Sequence, residues 1–295
     1  MDKPRILPVS SHDMVAARTD NLIGAILVHS GKLAPGDMEK VLRLQRENGL
    51  RFGEAALRLQ LLKPSDIEFA LSQQFNHPFL QRGESNLSEA IVSAYDRSGA
   101  QLEAIRVLRS QLSLRWFDTD PDHKALAIVS GDRQEGRSFI SANLAVAFSM
   151  LGKRTLLIDA DMRHPFQHSL FGLDNRVGLS AILSSRSGLE TIQRIPGLPD
   201  LSVLPAGAIP PNSIELLAQP PFIQMMKQVR QEFDLILLDS PAAAKYGDSQ
   251  MIAVRAGAAL IVARKNHTRM WKVRGVTSSV TEASATIVGT VFNDF

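Results

Sequence analysis

The chain has 295 residues, of which 44% are hydrophobic and 21% are charged, and its formal net charge is +3. This length and composition are typical of a globular protein with about two domains. The sequence contains no cysteine, which excludes disulfides, zinc–thiolate sites and cysteine nucleophiles. The small net charge gives no indication of a nucleic-acid partner, and we expect none.

The beginning of the sequence and its apolar runs bear on membrane association. Met1-Asp-Lys-Pro is not followed by the apolar segment of a signal peptide. The longest apolar runs, such as Ala256–Ala263, are far shorter than the roughly 20 residues that span a bilayer. We therefore expect a cytoplasmic protein. A basic run from Lys245 to Arg274 has two interpretations, a solvated face or a face toward anionic lipid or an acidic partner. The second interpretation would recruit the protein to the inner face of the plasma membrane.

The N-terminal part of the chain contains an internal repeat. Residues 1–20 have no clear periodicity and are expected to form a flexible arm. In the repeat that follows, equivalent positions lie 29 residues apart, as in Gly24 and Gly53, Pro35 and Pro64, and Gln45 and Gln74. Each copy has the pattern of a short helix, a turn and a second helix that begins with proline. We predict a helical domain of two similar halves at residues 21–79, and a linker over the polar residues 80–100.

The pattern after residue 100 predicts an α/β domain at residues 101–295. Leu102–Phe117 has an apolar stripe with helical spacing. Short apolar segments separated by helical ones then predict strands at Ala125–Val129, Thr155–Ile158, Leu235–Leu238, Ala259–Ala263 and Ile287–Phe292. Strands that alternate with helices form parallel sheets with buried strands. The predicted fold is a P-loop parallel sheet flanked by helices, preceded by the small all-α domain.

A glycine-containing loop follows the first predicted strand. Gly131-x-x-x-x-Gly136-Arg137-Ser138 matches the Walker A pattern, with arginine in place of its lysine. Backbone N–H groups of such a loop and of the following helix bind phosphate, and the Ser138 hydroxyl is placed to bind Mg²⁺. The predicted nucleotide-binding residues are Gly131, Asp132, Arg133, Gln134, Glu135, Gly136, Arg137, Ser138 and Phe139.

Two further strands end in carboxylates. Asp159 and Asp161 end one strand, and Asp239 ends another in the Walker B position. Ligands of open α/β sheets bind in the crevice at the carboxyl ends of the strands. We therefore predict that the domain binds ATP with Mg²⁺, with Ser138, Asp159 and Asp239 as metal ligands. A strand-end cap is the alternative interpretation for any one of these acids.

These motifs together resemble the bacterial (BY-type) tyrosine kinases of exopolysaccharide synthesis, the chain-length determinant kinases of the EpsG type. The resemblance covers about residues 100–295 and extends to Leu204–Asn212 and Gly289–Asn293. It implies phosphoryl transfer from ATP to a tyrosine hydroxyl. By this resemblance the catalytic residues are Asp159, Asp161 and Arg137. Asp159 would accept the hydroxyl proton or help to hold the metal, Asp161 would support Mg²⁺, and Arg137 would stand over the β- and γ-phosphates.

The same resemblance implies partners. Glu103-x-x-Arg106-x-x-Arg109 matches the family's helical oligomerisation motif and implies a homo-oligomer, whereas an intrahelical salt bridge is the alternative. Such kinases are switched on by a membrane-spanning chain-length determinant, which we expect here as a separate chain. The sequence has two tyrosines, Tyr95 and Tyr246, and no terminal tyrosine cluster. We therefore expect no autophosphorylation of a tail.

The N-terminal repeat resembles the N-terminal domain of MshE-type secretion ATPases, which binds cyclic di-GMP through two tandem motifs. The segments Leu22–Gln45 and Arg51–Gln74 fit its length and spacing. The second copy has the basic-apolar-glycine opening, whereas the first lacks the arginine. The resemblance implies a cyclic di-GMP site formed by Arg51, Gly53, Gly24, Gln45 and Gln74. A helical docking module without a ligand is the alternative.

The sequence leaves three functions open. The first is an ATP-dependent tyrosine kinase that regulates exopolysaccharide polymerisation, export and chain length. The second is a catalytically weak ATP-binding adaptor of the export complex, responsive to cyclic di-GMP, because the planar guanidinium of Arg137 is not equivalent to the Walker ammonium. The third is a partitioning or cell-division ATPase. That class normally carries a lysine near the start of the loop, where this chain has Asp132 and Arg133.

Overall fold

The computed structural model describes residues 23–67, 70, 80, 82–83, 85–244 and 246–294. The chain divides between residues 79 and 80 into two compact units. The predicted arm at residues 1–20 and Gln74 of the second repeat copy lie outside the described residues. Within the described ranges, no helix combines the length and the apolar character that crossing a bilayer requires.

The smaller unit is helical, as the repeat predicts. Its helices are α1 (Ile23–His29), α2 (Pro35–Asn48) and α3 (Phe52–Arg58), and residues 64–67 are again helical. The turn after the first helix of each copy contains a residue with positive φ, which is Gly31 at 71° in the first copy and Gln60 at 56° in the second. The two copies therefore share a backbone turn although only one of them has glycine there.

Helix packing in the smaller unit follows the repeat. Among the described residues, six buried side chains occupy equivalent positions in the two copies, namely Leu27 and Ala56, Leu33 and Leu62, and Val41 and Ala70. A Cβ at Gly24 would lie 3.0 Å from the Met38 side chain, and one at Gly53 would lie 3.1 Å from Ile67, the equivalent of Met38. Close helix packing therefore accounts for both glycines.

The larger unit is built on a sheet. The strands are β1 (Ala125–Val129), β2 (Thr155–Asp159), β3 (Gln193–Ile195), β4 (Leu198–Leu204), β5 (Leu235–Asp239), β6 (Ala258–Arg264) and β7 (Thr286–Asn293). Among the described residues they form one seven-stranded sheet in the order β3-β4-β2-β5-β1-β6-β7. All neighbours are parallel except β3 and β4. The predicted P-loop α/β fold is thus confirmed, whereas β3 and β4 were not predicted.

Helices cover both faces of the sheet. They are α4 (Val92–Tyr95), α5 (Ala100–Leu112), α6 (Arg137–Ser149), α7 (Gln167–Phe171), α8 (Leu179–Leu183), α9 (Ser213–Ala218), α10 (Pro220–Glu232), α11 (Asp248–Ala256) and α12 (Met270–Glu282), with a π-helical turn at Ser113–Phe117 and a 3₁₀ turn at Leu189–Thr191. Along β1, Leu126 and Ile128 belong to one apolar core, whereas Ala127 and Val129 belong to the other. Because both faces are covered, the central strands are apolar at almost every position.

The described residues between 80 and 100, for which we predicted a linker, instead belong to the larger unit. Ile91 and Tyr95 are buried in the core beside α6. The side-chain oxygen of Asn143 in α6 accepts a hydrogen bond from the backbone N–H of Ser93 at 2.9 Å. The prediction of a linker was wrong because a few apolar side chains anchor a segment whose overall composition is polar.

Candidate functional site

The predicted phosphate loop connects β1 to α6. Gly136, immediately before the helix, has a φ of 97°, in the left-handed region that glycine adopts at little cost. Helix α6 consequently begins at Arg137. The backbone N–H groups of its first turn have no partner within the helix and point toward the loop, where they can bind an anion.

Side chains from the C-terminal part of the chain hold this loop. Glu135 is fully buried. Its carboxylate accepts hydrogen bonds from the backbone N–H of Asp132 at 2.8 Å and from the Thr268 hydroxyl. Lys272 forms an ion pair with Asp132 and packs against Gly131. Both acids of the loop are therefore engaged by protein groups.

Arg137 lies at the base of the loop. Its guanidinium donates hydrogen bonds to the Ser130 hydroxyl, to the carbonyl of Asp132 at 2.6 Å and to the carbonyl of Ser240 at 2.7 Å. The side chain is only 8% exposed. We expected this group over the β- and γ-phosphates, but it instead joins the loop to the residue after β5. The spaced donors of a guanidinium make this possible, because they reach acceptors on two segments at once.

Asp159 and Asp239 face each other at the ends of β2 and β5, where they are register partners. One oxygen of Asp159 accepts hydrogen bonds from the backbone N–H groups of Phe166 and Gln167, each at 2.9 Å. The Gln167 side-chain amide donates to Asp239 at 2.7 Å. The second oxygen of each aspartate, and Oε1 of Gln167, are buried without a hydrogen-bond partner among the described residues. Such unpaired acceptors are rare in folded proteins and fit a site for a cation.

Asp161 lies at the edge of the same cluster. Its carboxylate accepts hydrogen bonds from the backbone N–H groups of Arg163 at 3.2 Å and His164 at 2.9 Å. The Arg163 guanidinium in turn donates to both oxygens of the buried Asp248, at 2.6 and 3.1 Å. The segment after β2 is thus held by α11, and Asp161 has a defined position.

The pKa values of the three acids are raised. Burial raises the pKa of Asp159 well above its usual value, and the neighbouring Asp239 adds to the effect. Burial also raises the pKa of Asp161. For Asp239, burial raises the pKa to about 6, although the charge of Arg137 and a hydrogen bond from Ser138 oppose it. A cation bound between these groups would favour their ionised forms.

The residues fit a magnesium ion that is completed by a nucleotide. In the part of the chain that the structure describes, no three His, Asp or Glu side chains are close enough to hold a metal by themselves. Mg²⁺ usually takes only one or two carboxylates, and phosphate oxygens and water complete its shell. The unpaired oxygens of Asp159 and Asp239, with the nearby Ser138, match that ligand set.

The remaining predicted residues are distributed as follows. Arg133 and Gln134 are exposed on the loop, and Phe139 is partly buried against the core. In α5, Arg106 pairs with Glu103 at 3.6 Å. Arg109 turns inward and donates to the carbonyl of Ala147 at 3.1 Å, and burial lowers the pKa of Arg109. The three charges of the predicted oligomerisation motif therefore make contacts within the chain.

In the smaller unit, the predicted cyclic di-GMP residues have different environments. Arg51 is exposed, and its backbone N–H donates to Glu54. Gln45 lines an open surface cavity of about 640 Å³ together with Leu42, Arg46, Gly49 and Leu50. Gly24 and Gly53 serve helix packing, as described above.

Several site residues were missed from the sequence. Gln167 contacts both strand-end acids, Thr268 and Lys272 hold the loop, and Asp248 holds Arg163. Gln167 follows Asp159 closely but has no motif spacing. Thr268, Lys272 and Asp248 come from distant parts of the chain that only the fold brings to the site, so the sequence carried no signal for them.

Comparisons with known proteins agree with this geometry. A family model described as cellulose biosynthesis protein BcsQ matches residues 125–273, about half of the chain. The chain is 34% identical over 193 residues to the putative tyrosine-protein kinase EpsB of Ralstonia solanacearum, covering 65% of this chain and 25% of that protein. It is 32% identical over 194 residues to the putative tyrosine-protein kinase CapB of Staphylococcus aureus, covering 65% of this chain and 83% of CapB. The chain thus spans about a quarter of the length of EpsB and most of CapB.

Solved structures show the same similarity. The kinase domain of the Escherichia coli tyrosine kinase ETK superposes with a TM-score of 0.67 at 26% identity, over 73% of this chain and 83% of that domain. The chimerical protein CapA2B2 superposes with a TM-score of 0.65 at 28% identity, over 76% of this chain and 96% of that one. The septum site-determining protein MinD of Pyrococcus horikoshii, at 24% identity and a TM-score of 0.51, shares the fold. Because the match covers most of CapB and the fold follows that of the ETK kinase domain, the chain belongs to the bacterial tyrosine-protein kinase family.

Proposed function

We propose that residues 101–295 form an ATP- and magnesium-dependent protein-tyrosine kinase that regulates exopolysaccharide polymerisation, export and chain length. The observation that carries this proposal is the pair of strand-end acids, Asp159 and Asp239, each with one buried oxygen that lacks a partner among the described residues. They lie beside the start of α6, where the loop offers backbone donors for phosphate. The names of the relatives EpsB and CapB support tyrosine as the acceptor.

In the proposed reaction, the loop from Gly131 to Gly136 and the first turn of α6 bind the phosphates of ATP through backbone N–H groups. Asp239 and Ser138 hold Mg²⁺, which neutralises charge on the transferring phosphoryl group. Asp159 helps to hold the metal or takes the proton of the tyrosine hydroxyl. Burial raises the pKa of Asp239, and the charge of Arg137 opposes this rise and favours the ionised carboxylate.

The test is incubation of the full chain with labelled ATP, Mg²⁺ and the cytoplasmic tail of its membrane partner, followed by phosphotyrosine detection. Wild type should label tyrosine, and Asp239→Asn should not. Asp118→Asn is the matched control, because Asp118 is an exposed aspartate outside the site and its replacement should leave labelling unchanged. Absence of phosphotyrosine with the wild-type protein would refute the kinase proposal.

The second candidate is a catalytically weak ATP-binding adaptor of the export complex. Its support is that Nε and Nη1 of Arg137 bind acceptors at the base of the loop, so that this guanidinium holds the loop and is drawn away from the position that the Walker lysine takes. The adaptor predicts that ATP and ADP change binding to the partner, whereas no phosphotyrosine forms. The experiment above separates the two, because only the kinase labels tyrosine.

We also propose the partners that the family implies. The activator is a membrane-spanning chain-length determinant on a separate chain, which would bring the protein to the inner face of the membrane. Homo-oligomer formation would involve Glu103, Arg106 and Arg109. Arg106 is partly exposed and Glu103 is exposed, so both can contact a neighbouring copy. Arg109 points inward and binds the Ala147 carbonyl, so less of its side chain is available to an interface.

For the smaller unit we propose cyclic di-GMP binding, mainly through Arg51. Its exposed guanidinium can give a guanine or phosphate two N–H donors at once. The cavity at Gln45 offers a second contact. Calorimetry on the full chain tests this. Arg51→Ala should abolish binding and Leu22→Arg should strengthen it, because the added arginine restores the opening of the first copy. If neither wild type nor Leu22→Arg produces heat, a protein-docking module is the better explanation.

A further inference from the structure

The start of helix α12 presents large apolar side chains to solvent. Met270 and Trp271, its first two residues, are 60% and 62% exposed. Val276 and Val280 of the same helix are buried in the core beside the sheet. The helix is therefore anchored by its later turns, whereas its first turn faces outward. Exposed apolar side chains that lie together are typical of a surface that contacts another molecule.

Phe292 of β7 lies at the same end of the sheet and on the same face. It pairs in register with Ala263 of β6, two residues after Ile261, whose side chain belongs to the core under α12. The segment between β6 and α12 is bonded to the residue beside Phe292, because the backbone N–H of Lys265 donates to the carbonyl of Asn293 at 2.9 Å. The Phe292 side chain is 68% exposed. The exposed apolar face consists of three side chains, Met270, Trp271 and Phe292.

Two arginines border the exposed apolar face. Arg269 immediately precedes α12, and Arg274 lies one turn after Met270 and Trp271 on the same side of the helix. Both arginines are exposed. Within the described ranges, neither of them forms an ion pair. Their charges are therefore available to an anionic partner.

Acids are scarce in this part of the surface. Residues 249–281 include six arginines and lysines but no aspartate or glutamate. Two acids that the fold brings to this stretch, Asp132 and Asp294, form ion pairs with its lysines, Lys272 and Lys265 respectively. The surroundings of the exposed apolar face are thus positively charged.

We propose that the exposed apolar face and its two arginines bind the headgroup region of an anionic lipid bilayer. Tryptophan, phenylalanine and methionine side chains can enter the boundary between headgroups and acyl chains, and tryptophan is enriched there in membrane proteins. Arg269 and Arg274 would contact the lipid phosphates. The chain itself makes this contact, which depends neither on the kinase reaction nor on the membrane-spanning activator.

The combination of apolar and basic groups favours lipid over other partners. A DNA backbone would match the arginines but would leave the three apolar side chains without an apolar environment. A second copy that used the same surface would bring like charges together. An anionic bilayer accommodates both kinds of group, because its phosphates lie next to its hydrocarbon region.

The first test is flotation of the full chain, without nucleotide, with vesicles of phosphatidylcholine alone or of phosphatidylcholine mixed with phosphatidylglycerol. We expect binding to the mixed vesicles only. Arg269→Glu combined with Arg274→Glu should weaken this binding by about tenfold or more. Arg115→Glu combined with Lys153→Glu is the matched control, because it changes the net charge equally at exposed positions near the amino ends of β1 and β2. Absence of wild-type binding, or equal binding of the two double variants, would overturn the proposal.

The second test uses tryptophan fluorescence. The chain has two tryptophans, of which Trp116 is buried and Trp271 is exposed. Mixed vesicles should shift the emission of wild type to shorter wavelength, and brominated acyl chains should quench it. Trp271→Ala, which retains Trp116, should show neither change and should bind the vesicles more weakly. Unchanged emission of wild type in the presence of mixed vesicles would show that the Trp271 indole stays in water, and would overturn the proposal.

Two further outcomes would identify a different partner and would also overturn the proposal. The first is tighter binding of wild type to a short DNA duplex than to the mixed vesicles, with DNA binding retained in Trp271→Ala. The second is a lower assembly mass of Trp271→Ala in light scattering while its vesicle binding equals that of wild type. We expect neither, because lipid binding requires Trp271 and the two arginines together.

Discussion

Replacement of Asp239 by asparagine should stabilise the free protein at neutral pH. Asp239 is 1% exposed, one of its oxygens accepts a hydrogen bond from Gln167, and the other has no partner among the described residues. Burial raises its pKa from 3.8 to about 6. The folded state therefore holds a proton that the unfolded state releases. The resulting stability is fully present below pH 3.8 and is lost as the pH rises through about 6.

The difference between 3.8 and about 6 corresponds to about 3 kcal/mol of unfolding free energy. The amide introduced by Asp239→Asn would not ionise, and its oxygen could still accept the Gln167 hydrogen bond. We expect the unfolding free energy of this variant to exceed that of wild type by up to about 3 kcal/mol at pH 8. The two proteins should converge toward pH 4. Urea unfolding in EDTA across this pH range measures the difference, with the exposed Asp118→Asn as the matched control.

Nucleotide should reverse the order of stability. Mg²⁺ with ATP should stabilise wild type more than Asp239→Asn, because a ligand stabilises only the state that binds it. The buried carboxylate of Asp239 would thus destabilise the free protein but contribute to binding of the nucleotide. Proteins commonly lose stability in this way at residues that serve function. If Asp239→Asn is no more stable than wild type at pH 8 in EDTA, burial does not destabilise the ionised Asp239, and this reasoning is wrong.

Three further predictions concern other parts of the chain. Arg137→Met removes the three hydrogen bonds at the base of the loop and should lower the free energy of unfolding, measured in urea, by about 2–4 kcal/mol. The exposed control Arg133→Met should change it by less than about 0.5 kcal/mol. Equal effects of the two variants would contradict the assigned contacts. Gln60→Gly should raise the thermal unfolding midpoint of the smaller unit, because Gln60 has a φ of 56° at a cost of about 1 kcal/mol; a lower midpoint would mean that this turn is unstrained. Replacement of Arg106 and Arg109 by alanine should reduce the assembly mass measured by light scattering, and an unchanged mass would restrict both arginines to contacts within the chain.

The sequence predicted the central strands because their signal is local. β1, β2, β5 and β6 are continuous apolar runs bounded by loops, as expected for strands covered on both faces. β4 was missed because Leu198–Leu204 contains Pro199 and Asp200 within the strand. The interpretation of residues 80–100 as a linker failed for a related reason, since burial of Ile91 and Tyr95 depends on tertiary contacts with α6.

The sequence predicted those residues of the candidate site whose positions follow from the strand order and the loop motif alone. Parallel strands deliver Asp159 and Asp239 to one edge of the sheet, and the pattern from Gly131 to Ser138 specifies a phosphate loop. The orientation of Arg137 was not predictable, because it depends on the carbonyl of Ser240, a residue from another strand end. For the same reason, Lys272 and Thr268 could not be assigned to the loop from their positions in the sequence.

The central claim is that the loop and the two strand-end acids form a magnesium-dependent nucleotide site, and ATP affinity measures it most directly. Calorimetry at pH 7.5 should show that Asp239→Asn weakens ATP binding in Mg²⁺ by roughly tenfold to a hundredfold, the effect of losing one charged contact of about 1.5–3 kcal/mol. In EDTA the variant should bind ATP no more weakly than wild type, because the lost contact is made through the metal. Equal affinity of the two proteins for ATP in Mg²⁺ would contradict the assignment of Asp239 and the site built around it.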